Sequence, residues 1–150
     1  GRVVPAVDAA RGSDRLLDAA VRIAPEAEVQ VVHALEIPFE GRLRLVGVSD
    51  DDIEGYRRQY GVRALTALQR LIEAHGARSA PRFVALVKNG NPIEALLAHE
   101  RDERSDLIIM GKRAPRGIAD LVLGSVTRHV LADAGCDVLV VACGIAAVNV

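Results

Sequence analysis

The chain has 150 residues, the size of one ordinary domain, which is enough length for a sizeable core. Half of its residues are hydrophobic but only 3% are aromatic, so we expect a core of Val, Leu, Ile and Ala. The formal net charge of −1, from 19 basic and 20 acidic residues, favours neither nucleic acid nor a membrane as a partner. No apolar run approaches the roughly 18 residues that a spanning helix needs.

Short apolar runs alternate with helical patterns from one end of the chain to the other. The predicted strands are, in order, 3–8, 29–35, 83–87, 107–110 and 137–142. The predicted helices are 13–24, 51–75, 92–101 and 125–134, and an irregular segment is expected at 38–49. This alternation predicts an α/β fold with a doubly wound, open, parallel five-stranded sheet of order 3-2-1-4-5 and helices on both faces. Pro5 argues against the first strand, because proline cannot donate to a central ladder.

The chain is predicted to form one domain over 1–144, followed by a C-terminal tail over 145–150. No internal repeat, linker or low-complexity tract interrupts it. Cys136 and Cys143 flank the predicted fifth strand, about 20 Å apart at a strand's rise per residue. That separation excludes a disulfide between them, and their spacing matches no metal motif. A reducing compartment, the cytoplasm, is therefore expected.

The predicted strand order places a ligand site between the first and fourth strands. In open parallel sheets, ligands bind beyond the carboxyl ends of the strands, where the strand order reverses. The loop after the first strand begins at Asp8 and contains no G-x-G-x-x-G cradle, and a carboxylate there would repel a pyrophosphate. Asp8 instead suits a hydrogen bond from a ribose hydroxyl or a base amine. The alternative is an ordinary turn or helix-entry residue.

The loop after the fourth strand, 111–124, has the features of a phosphate site. Gly111 lets the backbone approach a ligand closely, and Gly124-Ser125 opens a helix whose free N–H groups suit an anion. The Ser125 hydroxyl is suited to bond a phosphate oxygen or simply to cap the helix. Three basic residues lie in the same loop, beside the candidate phosphate pocket: Lys112, Arg113 and Arg116.

This loop resembles that of the universal stress protein family. Gly111, Ala114, Gly124 and Ser125 fall on the family spacing G-x2-G-x9-G-[ST], with Ala in place of the middle Gly. Other fragments similar to the family follow in the family's order: Val7-Asp8 with Ser13, Val32-His33-Ala34, Gly90-Asn91-Pro92, Asp106 to Gly111, and Cys136 to Val141. The resemblance covers roughly residues 3 to 143, and the ordered set is more specific than any single fragment.

The resemblance implies an adenine nucleotide alpha hydrolase-like fold that holds ATP, with or without Mg²⁺, between strands one and four. The implied nucleotide-binding residues are Ala6, Val7, Asp8, Ala34, Met110, Gly111, Arg113, Ala114, Gly117, Gly124, Ser125 and Val126. If the family's middle glycine needs a positive φ, Ala114 costs about 1 kcal/mol there, which would weaken the site without abolishing it. Gly117 is placed to supply the missing flexibility in a shifted turn.

The function implied is that of a stress-response regulator whose bound nucleotide changes its dimer or partner contacts. Family members commonly dimerise, and an apolar edge strand predicts a homodimer through Val138, Leu139, Val140 and Val141, unless the tail covers that edge. Two alternatives are an interaction dimer of this fold without nucleotide, and a nucleotide-processing enzyme of a related fold. No catalytic residue is predicted, since the chain has no Walker lysine and no positioned general base, so ATP hydrolysis is expected to be slow at most.

The histidines are predicted to be structural. His33 lies in the second strand, and His75, His99 and His129 lie on separate helices. No pair has the spacing of metal ligands, and Ser125 with His129 lacks the Gly-x-Ser-x-Gly elbow of a hydrolase.

Overall fold

The computed structural model describes residues 1–8, 13–75, 82–114 and 123–145. Its elements in chain order are β1 (Arg2–Ala6), α1 (Ser13–Ile23), β2 (Glu28–Leu35), α2 (Glu40–Leu45), α3 (Asp50–His75), β3 (Arg82–Asn89), α4 (Pro92–Glu103), β4 (Leu107–Ala114), α5 (Ser125–Asp133) and β5 (Asp137–Ile145). The strands of these residues form one parallel sheet of order β3-β2-β1-β4-β5, which confirms the predicted fold class.

Helices cover both faces of the sheet. On one face, Leu17 of α1 and Leu68 of α3 pack with Val29 of β2. On the other face, Leu96 of α4 and Val130 of α5 pack with residues of β1, β2 and β4. Burying one such aliphatic side chain stabilises a fold by about 1.5–3 kcal/mol. The aliphatic core expected from the composition therefore lies in two layers, one on each side of the strands.

β1 is a central strand although it contains Pro5. The N–H of Val7 donates to the carbonyl of Val32 at 2.9 Å, so the nitrogen of Pro5, two residues earlier, also faces β2. Pro5 has no paired residue on β2, and the pairing of β1 with β2 continues at Ala6. On its other side, Pro5 pairs with a residue of β4. The missing N–H thus falls at an interruption of the β1–β2 ladder, where proline is tolerated.

β4 is longer than predicted. Its pairing with β5 continues through Gly111, Lys112 and Ala114, with an irregularity between the last two. Gly111 therefore lies inside the strand and does not begin the loop, contrary to the prediction. The reason is that β5 also extends, to Ile145, and supplies partners for residues whose own strand propensity is low.

The segment 38–49, predicted to be irregular, contains the short helix α2. Phe39 precedes this helix in the left-handed conformation, with φ 63°. The Glu40 carboxylate accepts from Arg44 one turn later at 3.1 Å and from Arg57 of α3 at 2.5 Å. The pair with Arg44 lies within α2, whereas the pair with Arg57 joins the helix to α3, and local hydrophobic spacing reveals neither.

The last strand takes in the beginning of the predicted C-terminal tail. β5 runs to Ile145, and residues 146–150 lie outside the described residues. None of the described helices, including α3 with its 26 residues, combines the length and apolar character that crossing a bilayer requires.

Candidate functional site

A cavity of about 320 Å³ lies at the carboxyl ends of β1, β2 and β4. Its volume is within the range of about 300–1,000 Å³ that is typical of small-molecule sites. The strand order reverses here, because the chain leaves β1 towards β2 on one side and later returns to β4 on the other. The cavity is lined by Ala6, Val7, Asp8, Ser13, Leu16, Val32, His33, Ala34, Pro92, Leu96, Met110, Gly111, Val126, Thr127 and Cys143.

Most of the residues predicted to bind a nucleotide meet at this cavity. Those on its wall are Ala6, Val7, Asp8, Ala34, Met110, Gly111 and Val126. Gly124 and Ser125 are exposed and adjoin Val126 at the start of α5, although they are not wall residues. Arg113 and Ala114 continue β4 beyond the wall, and Gly117 lies outside the described residues.

Apolar side chains form the middle of the cavity and polar groups lie around it. Met110 is buried, as are Leu16 and Leu96 on opposite faces of the sheet. The polar side chains include the exposed carboxylate of Asp8 and the buried hydroxyl of Thr127, in a residue that is only 6% exposed. An apolar slot bordered by a few polar groups suits an aromatic base with an attached sugar.

The N-terminus of α5 is arranged to accept an anion. Gly124 occupies the N-cap position with φ −61° and ψ 159°, and no side chain of the described residues caps this end of the helix. A Cβ at Gly124 would meet no described atom within 4 Å. The first turn of α5 also contains no acidic residue, unlike the first turns of the other described helices. The positive end of the helix dipole is therefore not neutralised by a side chain of its own.

Ser125 does not cap α5, so that alternative was wrong. It is the first residue of the helix, one position after the N-cap. α4 shows the contrasting arrangement, since Oδ1 of Asn91 accepts from the N–H of Ile93 at 2.9 Å and of Glu94 at 3.4 Å. The amino end of α4 is thus closed by its own side chain, whereas α5 leaves this role to another group.

Ala114 is compatible with the conformation of β4. It pairs with Ile145 in the ladder to β5, and extended backbone suits alanine as well as glycine. The replacement of the family's middle glycine therefore incurs no left-handed penalty in this conformation.

His33 is a wall residue that sequence reasoning assigned only a structural role. Its Nδ1 lies 2.8 Å from the carbonyl oxygen of Val7, and the N–H of Val7 donates to Val32. β2 therefore holds the segment before Asp8 through both backbone polar groups of Val7. The sequence did contain one signal that His33 lies at the site, because it directly precedes Ala34 at the carboxyl end of β2.

Cys143 is another wall residue that was not among the predicted site residues. A Cβ built at Gly111 would lie 2.7 Å from its sulfur, closer than real carbon contacts allow. Gly111, predicted to let a ligand approach the backbone, therefore also leaves room for the side chain of Cys143 from β5. No positive φ is involved at Gly111.

Ser125 and His129 are not arranged as a nucleophile with its base. The Nδ1 of His129 lies 2.7 Å from the backbone oxygen of Ser125, and so the imidazole is not paired with the serine hydroxyl. Among the described residues, no group of three or more His, Cys, Asp or Glu side chains is placed to hold a metal ion.

Comparison with known sequences gives consistent matches. The model of the universal stress protein family matches residues 1–142 of this chain. A universal stress protein of Bacillus subtilis is 28% identical over 145 residues, covering 93% of this chain and 97% of that protein. One of Methanocaldococcus jannaschii is 32% identical over 136 residues, covering 87% of this chain and 76% of that protein.

Solved structures share the fold. Universal stress protein UspA from Lactobacillus plantarum has a TM-score of 0.72 at 19% identity, covering 93% of this chain and 96% of that one. A universal stress protein in complex with cAMP has a TM-score of 0.64 at 22% identity, with coverage of 94% and 95%. A universal stress protein family member from Arabidopsis thaliana with AMP bound has a TM-score of 0.57 at 16% identity, with coverage of 94% and 90%.

Proposed function

This chain belongs to the universal stress protein family, and from that premise we propose that it binds an adenine nucleotide in the cavity between β1 and β4. The observation that supports this most is the placement of an uncapped helix N-terminus beside an apolar slot that also contains Asp8. The slot suits a base, the carboxylate suits ribose hydroxyls, and the helix end suits a phosphate. The protein is proposed to act as a regulator in the stress response, and the bound nucleotide to change its dimer or partner contacts.

The sheet suggests how the nucleotide is oriented. β2 and β4 flank β1, so their ends lie two strand spacings apart, about 10 Å. The base is placed towards Ala34 of β2, the ribose over Asp8 after β1, and the phosphates beyond β4 at Gly124 and Ser125. The opposite orientation would bring the phosphates towards the carboxylate of Asp8, which is unfavourable.

The proposal includes ATP because the adenine nucleotides share most of their chemistry. cAMP and AMP, bound in two structures of the same fold, have adenosine and phosphate in common with ATP. ATP has two more phosphates than AMP, and the segment that follows Gly111 in the sequence contains the basic residues Lys112 and Arg113. Mg²⁺ would then be held mainly by the phosphates, as is usual for this ion.

A homodimer through β5 is the second part of the proposal. β5 lies at the edge of the sheet. The residues proposed to contact the second copy are half-buried, and they are Val138, Leu139, Val140 and Val141. An edge strand leaves backbone groups unpaired, and a second copy of the same strand would satisfy them. Neither Cys136 nor Cys143 forms a disulfide with a described residue, which is consistent with the proposed cytoplasmic location.

Thermal unfolding with and without ATP, ADP or AMP tests the proposal. A ligand at 100 times its Kd stabilises the folded state by about 2.7 kcal/mol, so the melting temperature should rise measurably. Asp8→Asn removes the negative charge at nearly constant size, and we expect it to reduce the shift for all three nucleotides. An unchanged melting temperature at millimolar ATP with Mg²⁺ would instead favour an interaction dimer that binds no nucleotide.

A further inference from the structure

The contact between His33 and Val7 determines which ring nitrogen of the histidine carries a proton. A backbone carbonyl oxygen can only accept a hydrogen bond, so the Nδ1 that lies 2.8 Å from it must donate. In the neutral imidazole, Nε2 is then left with a lone pair and no proton. Val7 is itself held by its N–H bond to Val32, which keeps the accepting oxygen in place.

The acceptor nitrogen belongs to a residue of the cavity wall. His33 is half-buried, and its Nδ1 edge is occupied by the backbone of Val7. No described residue forms a hydrogen bond with Nε2. Ala34, the next wall residue on β2, has a side chain too small to fill the space itself. Nε2 is therefore an acceptor, with no bond to a described residue, at a wall position of a largely apolar cavity.

We propose that His33 selects the base of the bound nucleotide by accepting a hydrogen bond from an exocyclic amine through Nε2. This inference rests on the proposed function, in which the base lies towards β2. A 6-aminopurine presents a donor to Nε2, whereas a 6-oxopurine presents an oxygen lone pair. With a 6-oxopurine, Nε2 and the base oxygen are both acceptors, so neither forms a hydrogen bond in a site with little water. Such a mismatch strongly favours the 6-aminopurine over the 6-oxopurine. AMP is therefore preferred to IMP.

The competing role for His33 is to position Val7 and nothing more. In that case its removal would weaken all purine nucleotides by the same factor, because the base would make no contact with the ring. The two roles are separated by comparing ligands that differ only at position 6 of the purine.

The experiment measures Kd by calorimetry for AMP, IMP and purine riboside 5′-monophosphate, which has hydrogen at position 6. The proteins are the unaltered chain and His33→Phe, both at about pH 8. His129→Phe is the matched control, since His129 is exposed on α5 and is not a wall residue. We expect the unaltered chain and the control to bind AMP roughly tenfold more tightly than the 6-hydrogen analogue, and IMP more weakly still. In His33→Phe, the AMP preference over the analogue should fall to within about twofold.

Equal ratios of AMP to analogue in the unaltered chain and in His33→Phe would overturn the inference while leaving nucleotide binding intact. Failure of the unaltered chain to bind any of the three ligands would overturn the proposed function together with the inference. If His33→Phe does not fold, nitrogen NMR of the unaltered chain replaces it. The Nε2 resonance of His33 should have the position of an unprotonated nitrogen and should move with AMP but not with the 6-hydrogen analogue. An Nε2 that is protonated in the free protein contradicts the inference.

Discussion

The sulfur of Cys143 lies only 2.7 Å from the position that a Cβ atom on Gly111 would occupy. β4 and β5 are paired at this level, so neither strand can shift independently. Gly111→Ala should therefore destabilise the fold by about 1–3 kcal/mol through overpacking. Urea unfolding measures the loss as a lower midpoint at an unchanged slope.

The partner substitution provides the control for this prediction. Cys143→Ala removes the sulfur, so adding Gly111→Ala to that variant should cost less than adding it to the unaltered chain. The difference is the interaction term of a double-mutant cycle. Additive effects would show that the methyl group and the sulfur do not compete for the same space.

An acidic cap on α5 should separate stability from ligand affinity. Gly124 already has the extended conformation of an N-cap residue, and an added Cβ would meet no described atom within 4 Å. Gly124→Asp should raise stability by about 1 kcal/mol by capping the helix and complementing its dipole. The same carboxylate would repel a phosphate, so the affinity for ATP should fall by roughly tenfold or more.

Gly124→Asn is the matched variant, because its amide caps the helix without adding charge. It should stabilise the free protein similarly and weaken ATP less than the aspartate does. Stability is measured by thermal unfolding without ligand, and affinity by calorimetry. Equal ATP affinity in the aspartate variant and the unaltered chain would show that no phosphate lies at this helix end.

The buried histidine on α4 should make stability fall in mild acid. His99 is only 3% exposed, and burial, followed by the charge of Lys88, lowers its pKa. Its Nε2 donates to the Gln30 side chain at 2.8 Å, while Nδ1 has no hydrogen-bond partner among the described residues. The unfolded chain therefore takes up a proton near pH 6.5 that the folded chain does not. Stability is complete above that pH and declines as the pH falls from there towards the lower pKa of the folded state.

His99→Gln keeps a donor for Gln30 but cannot titrate. We expect this variant to lose part of the pH dependence of stability below about pH 6.5, even if it is less stable overall. His129→Gln, at an exposed position on α5, should retain the dependence of the unaltered chain. Urea unfolding across this pH range decides the matter, and an undiminished slope in His99→Gln would refute the assignment.

The proposed dimer predicts a mass of two chains in light scattering at micromolar concentration. Val140 is half-buried on the edge strand, and a lysine there should block edge pairing. Val140→Lys is therefore expected to be a monomer with retained helical and strand content. Leu131→Lys changes an exposed apolar residue on α5 and should remain dimeric. A single-chain mass for the unaltered protein would exclude this interface.

The sequence predicted the fold because its main determinants are local. Aliphatic runs between helical patterns identified the five strands and their parallel order. The errors occurred where distant partners decide the structure. β4 continues past Gly111 because β5 pairs with it, and α2 forms where Arg57 of α3 reaches Glu40. Neither relationship is encoded in the propensity of the segment itself.

The cavity, like the fold, was predicted in its position but not in the contacts between its strands. Its position follows from the strand order, and Ala6 and Met110, which pair in neighbouring strands, were implied by the family resemblance. His33 and Cys143 were missed because their roles depend on the Val7 carbonyl and on Gly111, which belong to other strands. Such contacts between strands exist only once the register of the sheet is known.

The most direct test of nucleotide binding at this site is to follow backbone amide resonances during a titration with ATP. The account predicts that the largest changes occur at Asp8, Ala34 and Gly111, and at Gly124 and Ser125. Changes concentrated at the opposite end of the sheet, in the groove lined by Ala24 and Leu139, would contradict it. A spectrum that stays unchanged at millimolar ATP would contradict it equally.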